Sequence, residues 1–466
     1  MKNKTISADS ETSYSDSDLT RRDFLLSSAA ASLVAASSAQ ASPRVESQGK
    51  KSFPKGFLWG AATAGHQVEG NNINSDMWVL EHVKPTIFVE PSGDACDHYH
   101  RYADDIKLLA GLGLNTYRFS IEWSRIEPEQ GAFSLAELEH YRRMLAACRE
   151  NNITPMVSFN HFSVPRWFAA LGGWENPKAD ELFARYAERA AKHLGDLIAL
   201  ATTLNEPNVP ALLSWAKLPI PPAALKGMTA QAARAVGSDR FGFFILGAQE
   251  KMTDTMISAH HRGLTALKSG PGKYEVGVTL SMQDEQAVGP DSRRDEKRAA
   301  LYGRWLEAAS KSDFVGVQTY TRVRVGKDGD LPKDAGVELT QMGWEFYPEA
   351  LEATIRYAAA QAKVPVYVTE NGVATEDDSR RIEYIRRAVS GVQNCLQDGI
   401  DVRGYIHWAL LDTYEWFFGY RPKFGLIAVD RETQKRTVRP SARFLGEIAR
   451  RNSITGNQSP ATKGQR

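Results

Sequence analysis

The sequence is poor in cysteine. Its three cysteines, Cys96, Cys148 and Cys395, lie far apart and do not form the C-x-x-C or Cys/His spacing of a metal site. An odd number of widely separated cysteines also argues against a disulfide framework. We therefore expect isolated thiols packed inside a large fold, and no bound metal ion.

An excess of charge of one sign is missing as well. The 57 Lys and Arg residues almost balance the 56 Asp and Glu residues, so the chain has no electrostatic footprint for nucleic acid or an anionic membrane surface. Its 42% hydrophobic and 24% charged residues are ordinary globular usage, which excludes a disordered, collagen-like or membrane-bundle protein. The composition favours one large enzyme domain with a small-molecule ligand and no nucleic-acid partner.

A hydrophobic run long enough to span a membrane is absent, and the nearest candidate lies near the N-terminus. Residues 1–19 are polar and lead into T-R-R-D-F-L-L at 20–26, then an Ala/Ser/Leu run and A-Q-A at 39–41. Paired arginines, an apolar stretch below the ~20 residues of a spanning helix and a small-x-small site are typical of a twin-arginine signal. We expect removal of residues 1–41, a linker at 42–52, a periplasmic or secreted product, and no stable membrane insertion.

From Phe57 onward, short runs suited to buried parallel strands alternate with longer amphipathic segments of helical period. The runs start near Phe57, Thr116, Thr154, Ile198, Tyr274, Asp313, Pro365 and Val402, and helical patterns cover 134–150, 181–194 and 379–396. This repeat predicts a single (β/α)₈ TIM barrel over 53–452. An open doubly wound sheet is the alternative, but no glycine-rich phosphate loop follows the first strand.

Two regions interrupt the repeat. Residues 208–244 contain L-P-I-P-P at 218–222 and no clean period, so they are predicted to form a long loop over the top of the barrel. Residues 322–346 are predicted to be a second irregular insertion, and the polar tail 453–466 is predicted to be disordered. Long loops of a barrel usually shape its substrate mouth.

Two strands deliver a carboxylate to the rim of the predicted barrel. The fourth ends T-L-N-E-P at 203–207 and the seventh ends V-T-E-N-G at 368–372, which places Glu206 and Glu370 where barrel enzymes carry reactive groups. Retaining cleavage of a glycosidic bond needs two carboxyl groups about 5–5.5 Å apart, one to protonate the leaving oxygen and one to form a glycosyl ester. Two strands of one barrel can provide that spacing.

Further motifs extend this pattern: F-L-W-G-A-A-T-A-G-H-Q-V-E-G at 57–70, L-G-L-N-T-Y-R-F-S-I-E-W-S-R-I at 112–126 and G-Y-I-H-W-A-L-L-D-T-Y-E-W at 404–416. With T-L-N-E-P-N and V-T-E-N-G in this order, the sequence from 53 to about 450 resembles glycoside hydrolase family 1. The resemblance implies Glu206 as general acid/base and Glu370 as nucleophile. It also implies that Arg118 and Tyr320 contact the nucleophile and that Asn205 holds the sugar 2-hydroxyl.

The same resemblance implies a sugar pocket that needs no cofactor. Its expected residues are Gln67 and His161 for hydroxyl groups, Trp408 as a hydrophobic floor, Glu415 with Trp416 at the far edge of the ring, and Phe424 at the flank. An aromatic plane beneath a pyranose is physically reasonable, because sugar C–H groups pack on the ring face while the hydroxyl rim seeks hydrogen bonds.

Three segments next to this pocket depart from the family pattern. H-W-D-L-P appears as H-F-S-V-P at 161–165, N-Y-Y as Q-T-Y at 318–320, and N-F-E-W as T-Y-E-W at 413–416. They leave the carboxylate pair intact, so they bear on sugar preference and aglycone fit. The expected activity is that of an exo-acting retaining β-glucosidase with some tolerance for β-galactosides or β-fucosides.

Other functional hypotheses stay open. A transglycosylase would use the same ester intermediate. A 6-phospho-β-glycosidase is disfavoured because an anionic Glu415 would repel phosphate and because export separates the chain from cytoplasmic sugar phosphates. A plant-type thioglucosidase would lack the acid/base that Glu206 provides, and a non-catalytic carbohydrate-binding barrel would typically lose one carboxylate. The aglycone, the linkage and the oligomeric state are not indicated.

Overall fold

Parallel strands close into a barrel in this computed structural model, in which residues 52–216, 221–246 and 249–454 are described. The barrel strands, β1 to β8 in chain order, are Leu58–Thr63, Thr116–Ser120, Thr154–Asn160, Leu200–Asn205, Glu275–Ala287, Phe314–Gly326, Val366–Glu370 and Val402–Trp408. Each pairs in parallel with the next, and β1 pairs with β8, so the sheet closes on itself. The predicted (β/α)₈ fold is confirmed.

The strands form where the sequence has its short hydrophobic runs. Every residue of β2 and β7 is buried, because helices cover the outer face of the sheet while side chains fill the barrel interior. All the predicted runs coincide with barrel strands, with starts that differ only slightly. Beyond the barrel, short strands are present at Gly329–Asp330, Ile427–Val429 and Arg436–Val438.

Helices connect the strands and pack around them. The α-helices are Gly65–Val68, Asp76–His82, His98–Gly111, Trp123–Ile126, Leu135–Glu150, Arg166–Ala170, Ala179–Leu194, Val209–Ala216, Pro222–Ala235, Gln249–Ser269, Arg294–Arg298, Arg304–Ala309, Ala350–Ala362, Asp378–Gln397 and Pro440–Arg451. Single turns of 3₁₀ helix are Gly173–Glu175, Phe244–Leu246 and Trp416–Phe418, and a π-helical segment is Ala299–Gly303.

The helices predicted at 134–150, 181–194 and 379–396 are confirmed with small shifts at their ends. Helix Ala179–Leu194 illustrates the hydrophobic pattern on which these predictions rest. Its residues Leu182, Phe183 and Tyr186 recur at helical spacing and are buried. The hydroxyl of Ser134 caps the helix that starts at Leu135, because it accepts the N–H of Glu137 at 3.3 Å.

The prediction of one long loop over 208–244 is wrong for much of its length. The structure contains helices at Val209–Ala216 and Pro222–Ala235 in this region. Pro222 is the first residue of the second helix, where a missing N–H costs no hydrogen bond, and an alanine-rich sequence follows it. The clustered prolines that suggested a loop therefore mark the start of a helix.

The prediction of an irregular insertion at 322–346 is also corrected at its start. Strand β6 continues to Gly326 and pairs with β5 as far as Val325, so residues 322–326 are regular. Most residues after Asp330 lack regular structure until Ala350. The long β5–β6 pair raises one side of the barrel rim.

All three cysteines are buried and unpaired, as expected. Among the described residues, no helix combines the length and the apolarity required to cross a bilayer. The predicted signal peptide at 1–41, the linker as far as residue 51 and the tail from residue 455 lie outside the described residues.

Candidate active site

The carboxyl group of Glu370, the last residue of β7, is enclosed by hydrogen-bond donors. Arg118 in β2 donates Nη1 to Oε1 at 2.6 Å, and Tyr320 in β6 donates its hydroxyl to Oε2 at 2.6 Å. Gln318, also in β6, donates Nε2 to Oε1 at 3.0 Å. Glu370 is 3% exposed and Arg118 is fully buried, so solvent screens this ion pair weakly.

Asn205, the last residue of β4, binds two of the same donors. Its Oδ1 accepts Arg118 Nη2 at 2.5 Å, Gln318 Nε2 at 2.8 Å and Thr279 Oγ1 at 3.0 Å. Its Nδ2 lies 3.1 Å from His161 Nε2. Because three donors saturate the amide oxygen, the group that Asn205 can still offer a ligand is the second hydrogen of its amino group.

Glu206 directly follows β4 in a left-handed backbone conformation, with φ 47°. A residue other than glycine adopts this conformation at a cost of about 1–2 kcal/mol, so the surrounding contacts must hold it. One such contact is the hydrogen bond from the Glu206 N–H to the Thr279 carbonyl at 2.9 Å. The side chain is 9% exposed, the highest exposure among Arg118, Glu206 and Glu370.

The two carboxyl groups differ in the groups that surround them. Burial, and then the charge of Glu370, raise the pKa of Glu206 well above its ordinary value of 4.5, while a hydrogen bond from Ser281 and the charge of Arg118 lower it by less. Burial raises the pKa of Glu370 above 4.5 as well, but Arg118, Tyr320 and Gln318 limit the rise because they stabilise the anion. The arrangement therefore favours a proton on Glu206 and a negative charge on Glu370.

Asn208 holds the backbone of Ser281 beside Glu206. Asn208 Nδ2 donates to the Ser281 carbonyl at 2.7 Å, and the Ser281 N–H donates to Asn208 Oδ1 at 3.1 Å. This double contact fixes the loop after β4 against β5. Neither residue was predicted as part of the site, although the T-L-N-E-P-N motif contained the signal for Asn208.

Gln67 and Glu415 form a polar end of the site. Gln67 Nε2 donates to the Tyr414 carbonyl at 2.7 Å and lies 3.4 Å from Glu415 Oε2, while Gln67 Oε1 has no partner in the described chain. Burial, and then the charge of Glu370, raise the pKa of Glu415 to about 8, whereas hydrogen bonds from Gln67 and Trp408 lower it. Near neutral pH, Glu415 is thus mainly protonated, and repulsion of a phosphate by its charge is weaker than the sequence suggested.

His161 contributes a neutral imidazole. Burial, and then the charge of Arg118, lower the pKa of His161 well below 6.5. Because Asn205 Nδ2 donates to Nε2, the ring hydrogen lies on Nδ1, which has no partner among the described residues. The ring stacks on Trp408 at 5.6 Å between centroids and lies 6.3 Å from Trp416, tilted by 20° in each case.

The departure at 161–165 makes one wall of the site apolar. The Phe162 ring stacks on Phe244 at 5.5 Å and meets Trp416 edge-on at 5.3 Å, so loops after three different strands supply this cluster. A phenyl ring carries no N–H, unlike the indole of the family pattern. The hydroxyl of Ser163, which replaces an acid, donates to Glu122 Oε2 at 2.7 Å.

Phe424 packs against Tyr320. It is 2% exposed, and its ring meets the Tyr320 ring edge-on at 5.9 Å. Trp344 packs on the same tyrosine at 5.4 Å. These contacts restrict the orientation of the Tyr320 ring, whose hydroxyl donates to Glu370.

The structure brings all the predicted site residues into one connected region at the carboxyl ends of the strands, and their roles stay predictions. Sequence reasoning missed Thr279, Asn208, Ser281 and Phe244, and it treated Gln318 only as a departure from the family pattern. Thr279 and Phe244 had no sequence signal, because their contacts come from other strands and loops.

The chain is similar to known proteins along most of its length. The model of the family described as "Glycosyl hydrolase family 1" matches residues 49–314 and 307–454. A thermostable β-glucosidase B from Thermobispora bispora is 31% identical, with 89% of this chain and 94% of that protein covered. A bifunctional β-D-glucosidase/β-D-fucosidase from Bifidobacterium breve is also 31% identical, with 86% and 99% covered.

A solved structure titled as the apo form of a β-glucosidase shares the fold, with a TM-score of 0.82. It is 52% identical in sequence, and the match covers 85% of this chain and 98% of that one. The similarity thus extends through nearly all of the barrel and includes both glutamate motifs.

Proposed function

Because the chain belongs to glycosyl hydrolase family 1, we propose that it cleaves terminal, non-reducing β-D-glucosyl residues with retention of configuration. The observation that carries this proposal is the unequal environment of two buried carboxyl groups: Arg118 and Tyr320 donate to Glu370, whereas Glu206 lies near the charge of Glu370. The printed names of the relatives support a β-glucosidase, and one of them supports tolerance of β-fucosides.

In the first step, a carboxylate oxygen of Glu370 attacks the anomeric carbon of the sugar. The bond from that carbon to the leaving oxygen breaks, its electron pair goes to the oxygen, and the oxygen takes the proton of Glu206. An alcohol leaves and a glycosyl ester remains on Glu370. Arg118 and Tyr320 hold the attacking carboxylate in one orientation before the reaction.

In the second step, Glu206 is a carboxylate and takes a proton from water. The water oxygen bonds to the anomeric carbon, and the ester bond breaks with its electron pair returning to Glu370. Two inversions at one carbon give net retention. A sugar hydroxyl in place of water would give transglycosylation from the same ester, and we propose hydrolysis as the main outcome.

The sugar is proposed to bind through the hydrogen-bonding groups left free by the protein. These are the second amino hydrogen of Asn205 for the 2-hydroxyl, the Nδ1–H of His161, and Oε1 of Gln67. Trp408 would lie beneath the ring, with Glu415 at its far edge. A mainly protonated Glu415 can both donate to and accept from a hydroxyl group.

The test is turnover by residues 42–466 on aryl β-glucoside, β-galactoside, β-fucoside, β-xyloside and 6-phospho-β-glucoside. We expect the β-glucoside to be cleaved and Glu370→Gln to abolish turnover, because an amide cannot form the glycosyl ester. Proton NMR of the first product should show the β-anomer. Release of the α-anomer, or cleavage of the phosphorylated substrate alone, would refute the proposal.

We propose separately that residues 1–41 direct export by the twin-arginine route to the periplasm or the medium. The support is Arg21-Arg22, the weakly apolar run after them and A-Q-A at 39–41. Replacing both arginines by lysine keeps the charge and should leave the protein in the cytoplasm with its first 41 residues attached. Cell fractionation and N-terminal sequencing measure the outcome. Normal export and cleavage of that variant would exclude this route.

A further inference from the structure

A buried ion pair lies below the tryptophan at the edge of the site. His66 Nε2 is 2.8 Å from Glu81 Oε1, and both side chains are 0% exposed. The carboxylate is fixed from its other side, because Glu81 Oε2 accepts the N–H of Ser92 at 2.9 Å and its hydroxyl at 2.8 Å. The pair is therefore a rigid feature of the fold.

The His66 ring lies parallel to the Trp416 indole, with 5.8 Å between centroids and 4° between planes. An imidazolium at this distance from an indole face attracts it electrostatically in addition to the ring contact. Trp416 needs such support, because it begins the single 3₁₀ turn Trp416–Phe418 with φ 47° and is only partly buried.

The charges around His66 favour its protonated form. Glu81 and Asp76 face the ring from helix Asp76–His82, and Glu122 faces it from the segment after β2. Burial by itself lowers the pKa of His66, but these three carboxyl groups outweigh it and raise the pKa above 6.5. The segment that carries Trp416 also places the Tyr414 ring 6.3 Å from the His66 ring.

His66 also neighbours the polar end of the site. It shares the one-turn helix Gly65–Val68 with Gln67, whose Nε2 lies 3.4 Å from Glu415. A single turn of chain thus contacts both Glu415 and Trp416, the two residues expected at the far edge of the sugar.

We propose that the His66–Glu81 ion pair positions Trp416 for sugar binding, and thereby sets substrate affinity without entering the reaction. The proposal rests on the function proposed above, since it assumes that Trp416 contacts the glycone. It assigns His66 and Glu81 as positioning residues, because neither approaches the carboxyl groups of Glu206 and Glu370 in any observed contact.

The test uses two variants that remove the charge pair in different ways. Glu81→Gln keeps the side-chain shape, and His66→Phe keeps a ring against Trp416. We expect each to raise KM for an aryl β-glucoside about tenfold, with kcat changed less than about twofold, because a ring misplaced at the sugar edge weakens binding while the carboxyl pair is untouched. The wild-type KM should also rise as pH passes above the pKa of His66, and this rise should be absent in His66→Phe.

His98→Gln is the matched control. His98 forms a hydrogen bond with Asp105 at the same 2.8 Å and with similarly buried side chains, 2% and 1% exposed. Its ring partner is Tyr117, and no contact with Trp416 is observed among the described residues. We expect a comparable loss of thermal stability and an unchanged KM. An increase in KM as large as that of Glu81→Gln would overturn the proposal, as would an unchanged KM in both test variants.

Crystal structures of the wild type and of Glu81→Gln provide a readout that does not depend on turnover. The proposal requires that the Trp416 ring shift or become disordered in the variant, and an unmoved ring overturns it. A wild type that cleaves no glycoside would instead refute the proposed function, and the crystal structures would still decide whether the ion pair positions Trp416.

Discussion

At the scale of single residues, the proposed mechanism depends on a proton that Glu206 holds beside the Glu370 carboxylate. Glu206→Ala should reduce kcat/KM by about 10²–10⁴-fold for alkyl β-glucosides, whose leaving groups need protonation, and far less for dinitrophenyl β-glucoside. Steady-state kinetics across aryl glucosides of graded leaving-group pKa would measure the difference. Equal losses on good and poor leaving groups would contradict the role given to Glu206.

The pH profile checks the same proton independently. Wild-type kcat/KM should fall as pH rises through the raised pKa of Glu206, because the deprotonated form cannot protonate the leaving oxygen. The alkaline limb should disappear in Glu206→Ala. Its persistence in that variant would assign the limb to another group.

Gln318 connects two residues of the site, Glu370 and Asn205. It donates to Glu370 at 3.0 Å and to Asn205 at 2.8 Å, and Gln318→Asn is one methylene too short to keep both contacts. Loss of a donor raises the pKa of Glu370, so the acid limb of the kcat/KM profile should move to higher pH and kcat should fall about tenfold. An unmoved acid limb, measured with the same substrate, would show that Gln318 does not stabilise the anion.

At the scale of elements, the chain just past β7 packs tightly against the end of β8. A Cβ on Gly372 would lie 2.0 Å from the carbonyl oxygen of Trp408, so Gly372→Ala should separate the strand ends that carry Glu370 and Trp408. A displacement of about 1 Å at a reacting group can cost 100-fold in rate, and we expect a loss of that order in kcat/KM together with a lower Tm.

Gly111→Ala is the control for that substitution. Gly111 ends helix His98–Gly111, and a Cβ there would meet nothing within 4 Å. The variant should keep full activity and gain up to about 1 kcal/mol of stability from the reduced freedom of the unfolded chain. If both alanine variants lose activity equally, the close approach at Gly372 is not the cause.

At the scale of the whole molecule, a buried carboxyl group links stability to pH. Both backbone donors to Asp76, Val164 N and Met77 N, bind Oδ1, and Oδ2 has no partner among the described residues. Burial raises the pKa of Asp76 from 3.8 to about 7. The folded state therefore binds the proton more tightly than the unfolded state, and stability is lost as pH rises from about 4 through about 7.

Asp76→Asn should remove this dependence, because an amide keeps the Oδ1 acceptor and does not ionise. The stability of the wild type relative to the variant should fall by up to about 4 kcal/mol between pH 4 and pH 8, as measured by chemical denaturation at both values. A constant difference between the two proteins across that range would show that Asp76 keeps its ordinary pKa.

The barrel and the positions of its two carboxyl groups were predictable because both depend on local pattern. The period of the hydrophobic residues distinguishes strands from helices. Parallel strands in a closed barrel bring their carboxyl ends to one rim, independently of the conformation of the loops. This is why Glu206 and Glu370 could be placed at the rim from T-L-N-E-P and V-T-E-N-G at the ends of the fourth and seventh predicted strands. The helices at 209–216 and 222–235 were missed because proline both ends and begins helices, and sequence alone did not separate the two uses.

Only the tertiary structure decided which site residues contact one another and how their surroundings affect their charge. The saturation of Asn205 by donors from three strands, the contact of Asn208 with Ser281 and the stacking of His66 on Trp416 join residues remote in sequence. Such contacts depend on which strands and loops pack against one another, and this packing is a property of the whole fold. Protonation follows from burial and neighbouring charge, which are properties of the folded molecule. The sequence by itself determined which residues reach the rim; the fold determined the burial and the neighbouring charges that favour a proton on Glu206.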